Sequence, residues 1–83
     1  MYMVYVIYNR KHDKVYIGQT EDLVRRLELH NSKIFHRSFS ARFDGVWELI
    51  YQEKCETRVD ALKREKQLKS YRGRQFTKQY IPR

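Results

Sequence analysis

The chain has 83 residues, 41% of them hydrophobic and 34% charged, with one Pro and three Gly, a composition that predicts one folded globular domain over residues 1–83 with a modest core. No apolar run is long enough to span a membrane and the N-terminus lacks a signal-peptide layout, so a cytoplasmic protein is expected; the single cysteine, Cys55, excludes a disulfide framework or a cysteine-built zinc site within one chain. The net charge of +8 is uneven, because residues 58–83 carry nine Lys or Arg against two acids while residues 1–57 carry nine against eight.

In chain order, residues 2–8 (YMVYVIY) form a short run of β-formers, apolar on both faces, and read as a central strand. Residues 9–13 are a polar turn, and residues 14–19 a second strand joined to the first as an antiparallel hairpin. In that second strand Val15 and Ile17 share one face, Tyr16 and Gly18 the other. Thr20, Glu21 and Asp22 then open a helix that runs from about Asp22 to Asn31. Its residues Leu23, Arg26, Leu27 and His30 recur at helical spacing on one face. Two leucines there can seal a core, but Arg26 and His30 one turn apart are harder to explain as packing. Beside the strand that carries Tyr16 they would border a phosphate-sized site with phenol, guanidinium and imidazole.

Residues 32–45 have no clean period and read as a loop or a short helix closed by Gly45, with Phe35, Phe39 and Phe43 at four-residue intervals as a packing stripe. Residues 46–52 form a third strand with Trp47, Leu49 and Tyr51 on one face, and Cys55 fills the space near its end. Thr57 caps a helix that runs to about Ser70, with Asp60 completing a variant of the capping box. Ala61, Leu62, Glu65 and Leu68 share its apolar face, which makes Glu65 the one carboxylate in that stripe: either a core-edge glutamate paired with an arginine or a ligand for a hard divalent cation. Gly73 punctuates the chain, and residues 74–80 form a last short helix that packs Phe76 and Tyr80 on the body. The basic C-terminal half, interleaved with Tyr71, Phe76 and Tyr80, is the footprint of a nucleic-acid binder, ahead of a merely solvated helix surface and well ahead of a membrane surface.

Several of these residues resemble the motifs of the GIY-YIG nuclease superfamily, in its short stand-alone form, and the resemblance covers nearly the whole chain. Tyr16-Ile17-Gly18 matches YIG letter for letter, and Met3-Val4-Tyr5 stands where GIY would be, keeping its tyrosine. The family arginine falls on Arg26, the His or Tyr four residues later on His30, and the family glutamate on Glu65. The resemblance implies an α/β (α+β) fold, a small three-stranded antiparallel sheet flanked by helices. It also implies a divalent-metal-dependent endonuclease that hydrolyses DNA, including structured or damaged DNA, with Mg²⁺ or Mn²⁺ as cofactor.

The roles it implies are specific. Glu65 holds the metal, Arg26 stabilises charge on the non-bridging phosphate oxygens, and Tyr5 and Tyr16 set their hydroxyls near the attacking water. Tyr16 and His30 stand as alternative general bases. Gly18, Gln19, Arg25, Lys63, Lys66, Lys69, Arg72 and Arg74 are expected to meet the nucleic acid, and a homodimer or a specificity-giving protein partner is an open expectation. The chain departs from the family at Met3, Val4 and Gln19 and has no Asn after Asn31, which keeps in view the alternative of a non-catalytic or partner-dependent nucleic-acid-binding module. His12 and His36 match nothing in the pattern and are expected at the surface.

Overall fold

The computed structural model describes residues 1–32 and 44–82. Its elements run β1 (Tyr2–Asn9), β2 (Lys14–Thr20), α1 (Leu23–Ser32), β3 (Trp47–Cys55), α2 (Arg58–Lys69) and α3 (Tyr71–Lys78). The three strands form one antiparallel sheet in the order β2-β1-β3. The α+β class, the hairpin and the central place of β1 are as the sequence predicts. Strand β1 can lie in the middle because both its faces are apolar: Val4 and Val6 enter one core, Tyr5 and Ile7 the other. Helix α1 covers the second face through Leu23 and Leu27. Helices α2 and α3 cover the first through Ala61, Leu68 and Phe76. No helix among the described residues is long and apolar enough to cross a membrane.

Local chemistry sets the ends of these elements. Asp13 takes φ +53 in the β1–β2 turn, a conformation Asp tolerates, and its carboxylate accepts the Tyr8 hydroxyl at 2.7 Å. Thr20 closes β2, and its Oγ1 accepts the Asp22 amide at 3.2 Å. The Asp22 carboxylate accepts the Arg25 amide at 3.1 Å and so caps α1. Thr57 caps α2 as predicted, its side chain accepting the Asp60 amide at 3.1 Å. Burial pushes the Cys55 thiol up, which agrees with a filling role rather than a reactive one.

Three expectations are corrected. Trp47, Leu49 and Tyr51 do not share one face. The β1–β3 register shifts between Val6 and Ile7, so that Ile7 faces Leu49 while Val6 faces Tyr51 and Ile50 is the extra residue. One extra residue reverses the alternation. Trp47 and Leu49 pack toward α1, whereas Tyr51 packs edge-on to Phe76 with ring centroids 5.3 Å apart. Leu62 is not on the buried stripe of α2. It is 46% exposed, because Ala61 and Leu68, two turns apart, define a strip too narrow to include a residue about 100° round the helix. Gly73 lies inside the last helix rather than before it. Ser70 ends α2 and caps α3, its side chain accepting the Gly73 amide at 3.3 Å. Gly73 is required there because an added Cβ would lie 2.2 Å from the Gln67 carbonyl oxygen and 2.4 Å from Leu68 Cα.

The predicted aromatic stripe, Phe35, Phe39 and Phe43, and His36 lie outside the described residues. The chain that returns from that segment is held at two points. Asp44 pairs with Lys11 and, at 2.6 Å, with His12, while the Asn9 side chain donates to the Asp44 carbonyl at 2.9 Å. Lys11 and His12 together hold the Asp44 carboxyl down to about 2. Asn31, expected only as a helix-end signal, bonds both backbone groups of Trp47: its amide donates to the carbonyl at 3.1 Å and its carbonyl oxygen accepts the N–H at 2.7 Å. These contacts start β3 against the C-terminal end of α1.

Candidate active site

Antiparallel pairing sets Tyr5 opposite Gly18 and Ile7 opposite Tyr16. Side chains two residues apart on a strand share a face, so Tyr5, Tyr16 and Gly18 all look toward α1. Glycine is needed at 18 because the Tyr5 ring lies across it. An added Cβ would come within 2.8 Å of the Tyr5 hydroxyl oxygen and 3.0 Å of Tyr16 Cε1. The two phenol rings are 6.2 Å apart between centroids.

Helix α1 brings His30 to the same point. Its Nε2 and the Tyr5 hydroxyl are hydrogen-bonded at 3.0 Å, and its ring centroid lies 4.8 Å from that of Tyr16. Tyr5 and His30 are each 1% exposed, whereas Tyr16 is only half-buried and lines a cleft. Burial, and the Tyr16 phenol beside it, push the Tyr5 hydroxyl well above the ordinary tyrosine range; Arg26 opposes that shift and Glu65 adds to it. Both charges therefore act on Tyr5, one from α1 and one from α2. Arg26 is half-buried and lines a second cleft with Tyr2, Gln19, Glu21 and Arg58, at the end of β2.

Glu65 has a side chain 21% exposed, and its carboxylate accepts from Lys69, one turn on, at 2.8 Å. The arginine pairing considered for a core-edge glutamate belongs instead to Glu53, which takes Arg64 at 3.1 Å. No group of three or more His, Cys, Asp or Glu side chains suited to a metal occurs among the described residues. A single carboxylate does not make a zinc site or a calcium cage. It does fit a hard divalent ion that keeps several waters and takes its other ligands from substrate phosphates.

The structure thus brings Tyr5, Tyr16, Gly18 and His30 together, with the charges of Arg26 and Glu65 acting on Tyr5. The expected nucleic-acid contacts are scattered. Lys69 and Arg74 line the cleft that Tyr16 borders, and Gln19 lines the one with Arg26. Arg25, Lys63, Lys66 and Arg72 are exposed and line neither. Sequence reasoning missed Lys14 and Lys78 in the first cleft and Arg58 in the second. Local pattern carries no signal for them, because each is one more exposed cation until the fold sets it beside the others. Tyr71, one of the aromatics interleaved with the basic half, is 78% exposed. Phe76 and Tyr80 pack back on the body as predicted, with Tyr80 4.8 Å from the Tyr51 ring.

The family model described as the GIY-YIG catalytic domain matches residues 1–79. No curated protein and no solved structure matches the chain.

Proposed function

The chain belongs to the GIY-YIG family, whose domain implies nuclease-type activity on nucleic acid, and on that premise we propose that it is a divalent-metal-dependent endonuclease of DNA, acting on structured or damaged substrates. One observation carries the reading. The half-buried Tyr16 borders an open cleft, a buried Tyr5–His30 pair stands behind it, and the charges of Arg26 and Glu65 both act on the Tyr5 phenol. A buried histidine bonded to a buried tyrosine would by itself be ordinary core chemistry. An arginine from the same helix and a glutamate from α2, both acting on that tyrosine, are not needed for packing.

Each side chain then has a task. Tyr16 is the hydroxyl that meets the attacking water, because of the three candidates it is the one that is not buried. The Tyr5–His30 bond holds both rings and so fixes the wall against which Tyr16 stands. Arg26 binds the non-bridging phosphate oxygens with a planar guanidinium that can donate two parallel hydrogen bonds. Glu65 holds Mg²⁺ or Mn²⁺, which when bound supplies Lewis-acid stabilisation of the phosphate and the leaving oxygen. Gly18 leaves the space the phenols occupy.

A second reading has one observation in its favour: the Lys69 ammonium already neutralises Glu65. In that reading the chain binds nucleic acid without cutting it, or cuts only with a partner. A cleavage assay separates the two. Wild type, Glu65→Gln and Tyr16→Phe are compared on linear, single-stranded and branched DNA with Mg²⁺ or Mn²⁺. Metal-dependent cutting lost in both variants is expected. Equal cutting by wild type and Glu65→Gln refutes the role of Glu65, and tight binding by wild type with no cutting on any substrate refutes the nuclease.

A further inference from the structure

The larger cleft, about 710 Å³, lies along β2 between the β1–β2 turn and the α2–α3 junction. Its rim carries Lys14, Lys69, Arg74 and Lys78 against one carboxylate, Asp13, which already accepts the Tyr8 hydroxyl at 2.7 Å. Its floor is apolar, made by Val15, Ile17 and Ile81 with Thr77 beside them. Two members tie it to the candidate active site: Tyr16 borders both, and Lys69 reaches the Glu65 carboxylate at 2.8 Å.

We propose that this cleft binds an unpaired nucleic-acid strand next to the bond to be cut, with Lys14, Arg74 and Lys78 on its phosphates and the Val15–Ile17–Ile81 floor under a sugar or base. The inference rests on the nuclease reading only for the identity of the neighbouring site. Cations on the rim hold any nucleic acid, single or double, because phosphates are common to both. The floor makes the distinction. A duplex turns its bases inward and presents little apolar surface to a cleft wall. An unpaired nucleotide can lay a base or sugar on apolar side chains while its phosphates stay on the rim. Lys14 and Tyr16 lie on the α1 face of β2, about 7 Å apart, and Val15 and Ile17 on the other face; β2 is an edge strand, so a nucleic-acid strand lying along that edge passes both sets. The cleft thereby favours substrates with a single-stranded arm over uniform duplex.

The test is binding of a short fluorescein-labelled single-stranded DNA and of the matching duplex, by fluorescence anisotropy over a range of salt concentrations. EDTA is present so that no cutting occurs. Three proteins are compared: wild type, the triple variant Lys14→Gln/Arg74→Gln/Lys78→Gln, and a control with the same loss of charge outside both clefts, Lys63→Gln/Lys66→Gln/Arg72→Gln. Circular dichroism checks that each is folded; all six positions are exposed, so folding is expected to hold. The expected result has three parts. Wild type prefers the single strand. The cleft variant loses about 2 from the slope of log affinity against log salt, roughly 0.7 for each phosphate contact. The control loses less. An unchanged cleft variant, an equal loss in the control, or a duplex bound as tightly as the single strand each overturns the proposal. These outcomes are independent of turnover. Failure of the cleavage assay would remove the nuclease and leave this binding result standing, whereas unchanged binding would remove the cleft alone.

Discussion

Replacing Gly18 by alanine isolates the packing on which the site depends. Within a strand this substitution ordinarily stabilises a protein by about 0.5–1 kcal/mol, because alanine loses less backbone freedom on folding. Here the new methyl would stand 2.8 Å from the Tyr5 hydroxyl oxygen and 3.0 Å from both Tyr5 Cζ and Tyr16 Cε1. The hydroxyl end of a side chain could normally swing aside. Tyr5 cannot do so freely, since it is 1% exposed and its oxygen is bonded to His30 at 3.0 Å. Overpacking of this kind costs about 1–3 kcal/mol. Breaking the bond and leaving a buried polar group unpaired costs about 1–3 kcal/mol. Movement of the ring relieves the first by incurring the second, so the two overlap rather than add. A net destabilisation of about 0.5–2 kcal/mol is expected once the gain in backbone entropy is set against it. Urea unfolding followed by circular dichroism measures it, and a thermal scan should show a Tm lowered by roughly 4–8 °C per kcal/mol. The same substitution made in a Tyr5→Phe background should cost less, because the shortest of the three contacts is gone. A Gly18→Ala protein as stable as wild type, or more stable, would refute the argument that glycine is there to admit the phenols.

Other expectations follow from the same geometry. Gly73→Ala should be worse than Gly18→Ala, about 3 kcal/mol or more, because the methyl would meet the backbone of α2, which cannot rotate away; a denaturant midpoint equal to that of Gly18→Ala would contradict this. The Asp44 carboxyl is held at about 2, below its ordinary 3.8, so the stability it contributes is complete above that ordinary value and is lost as pH falls toward 2. Thermal melts should therefore fall more steeply between those values for wild type than for Asp44→Asn, and parallel curves would show that Lys11 and His12 do not act on it. Lys69→Met should bind Mn²⁺ about two- to fivefold more tightly in an isothermal titration. The variant removes an ammonium that competes for Glu65 in a partly exposed ion pair worth up to about 1 kcal/mol. Weaker or unchanged Mn²⁺ binding would exclude Glu65 as the ligand.

Much of the site is legible in the chain because short-range periodicity encodes it. Alternation in residues 2–8 and 14–19 sets the facing of Tyr5, Tyr16 and Gly18, and helical spacing puts Arg26 and His30 on the face of α1 that covers them. These facings depend on backbone geometry within a few residues, so the sequence by itself determined them, and it also determined the order of elements and the cap at Thr57. It equally marked Glu65 as the lone acid in an apolar stripe. What it could not show is anything set by contact between distant segments. The extra residue at Ile50 appears only when β3 pairs with β1, and it alone turns Tyr51 from one face to the other. Gly73 reads locally as a helix breaker, yet it sits within α3 because the last turn of α2 leaves no room for a side chain. Asn31 and Asp44 gain their partners only when the chain returns to start β3. Lys14 and Lys78 are far apart in the chain, and nothing in either neighbourhood distinguishes them from other exposed cations. Tertiary structure decided that they share a cleft with Tyr16, because electrostatic potential and cavity shape are sums over groups that only folding brings together.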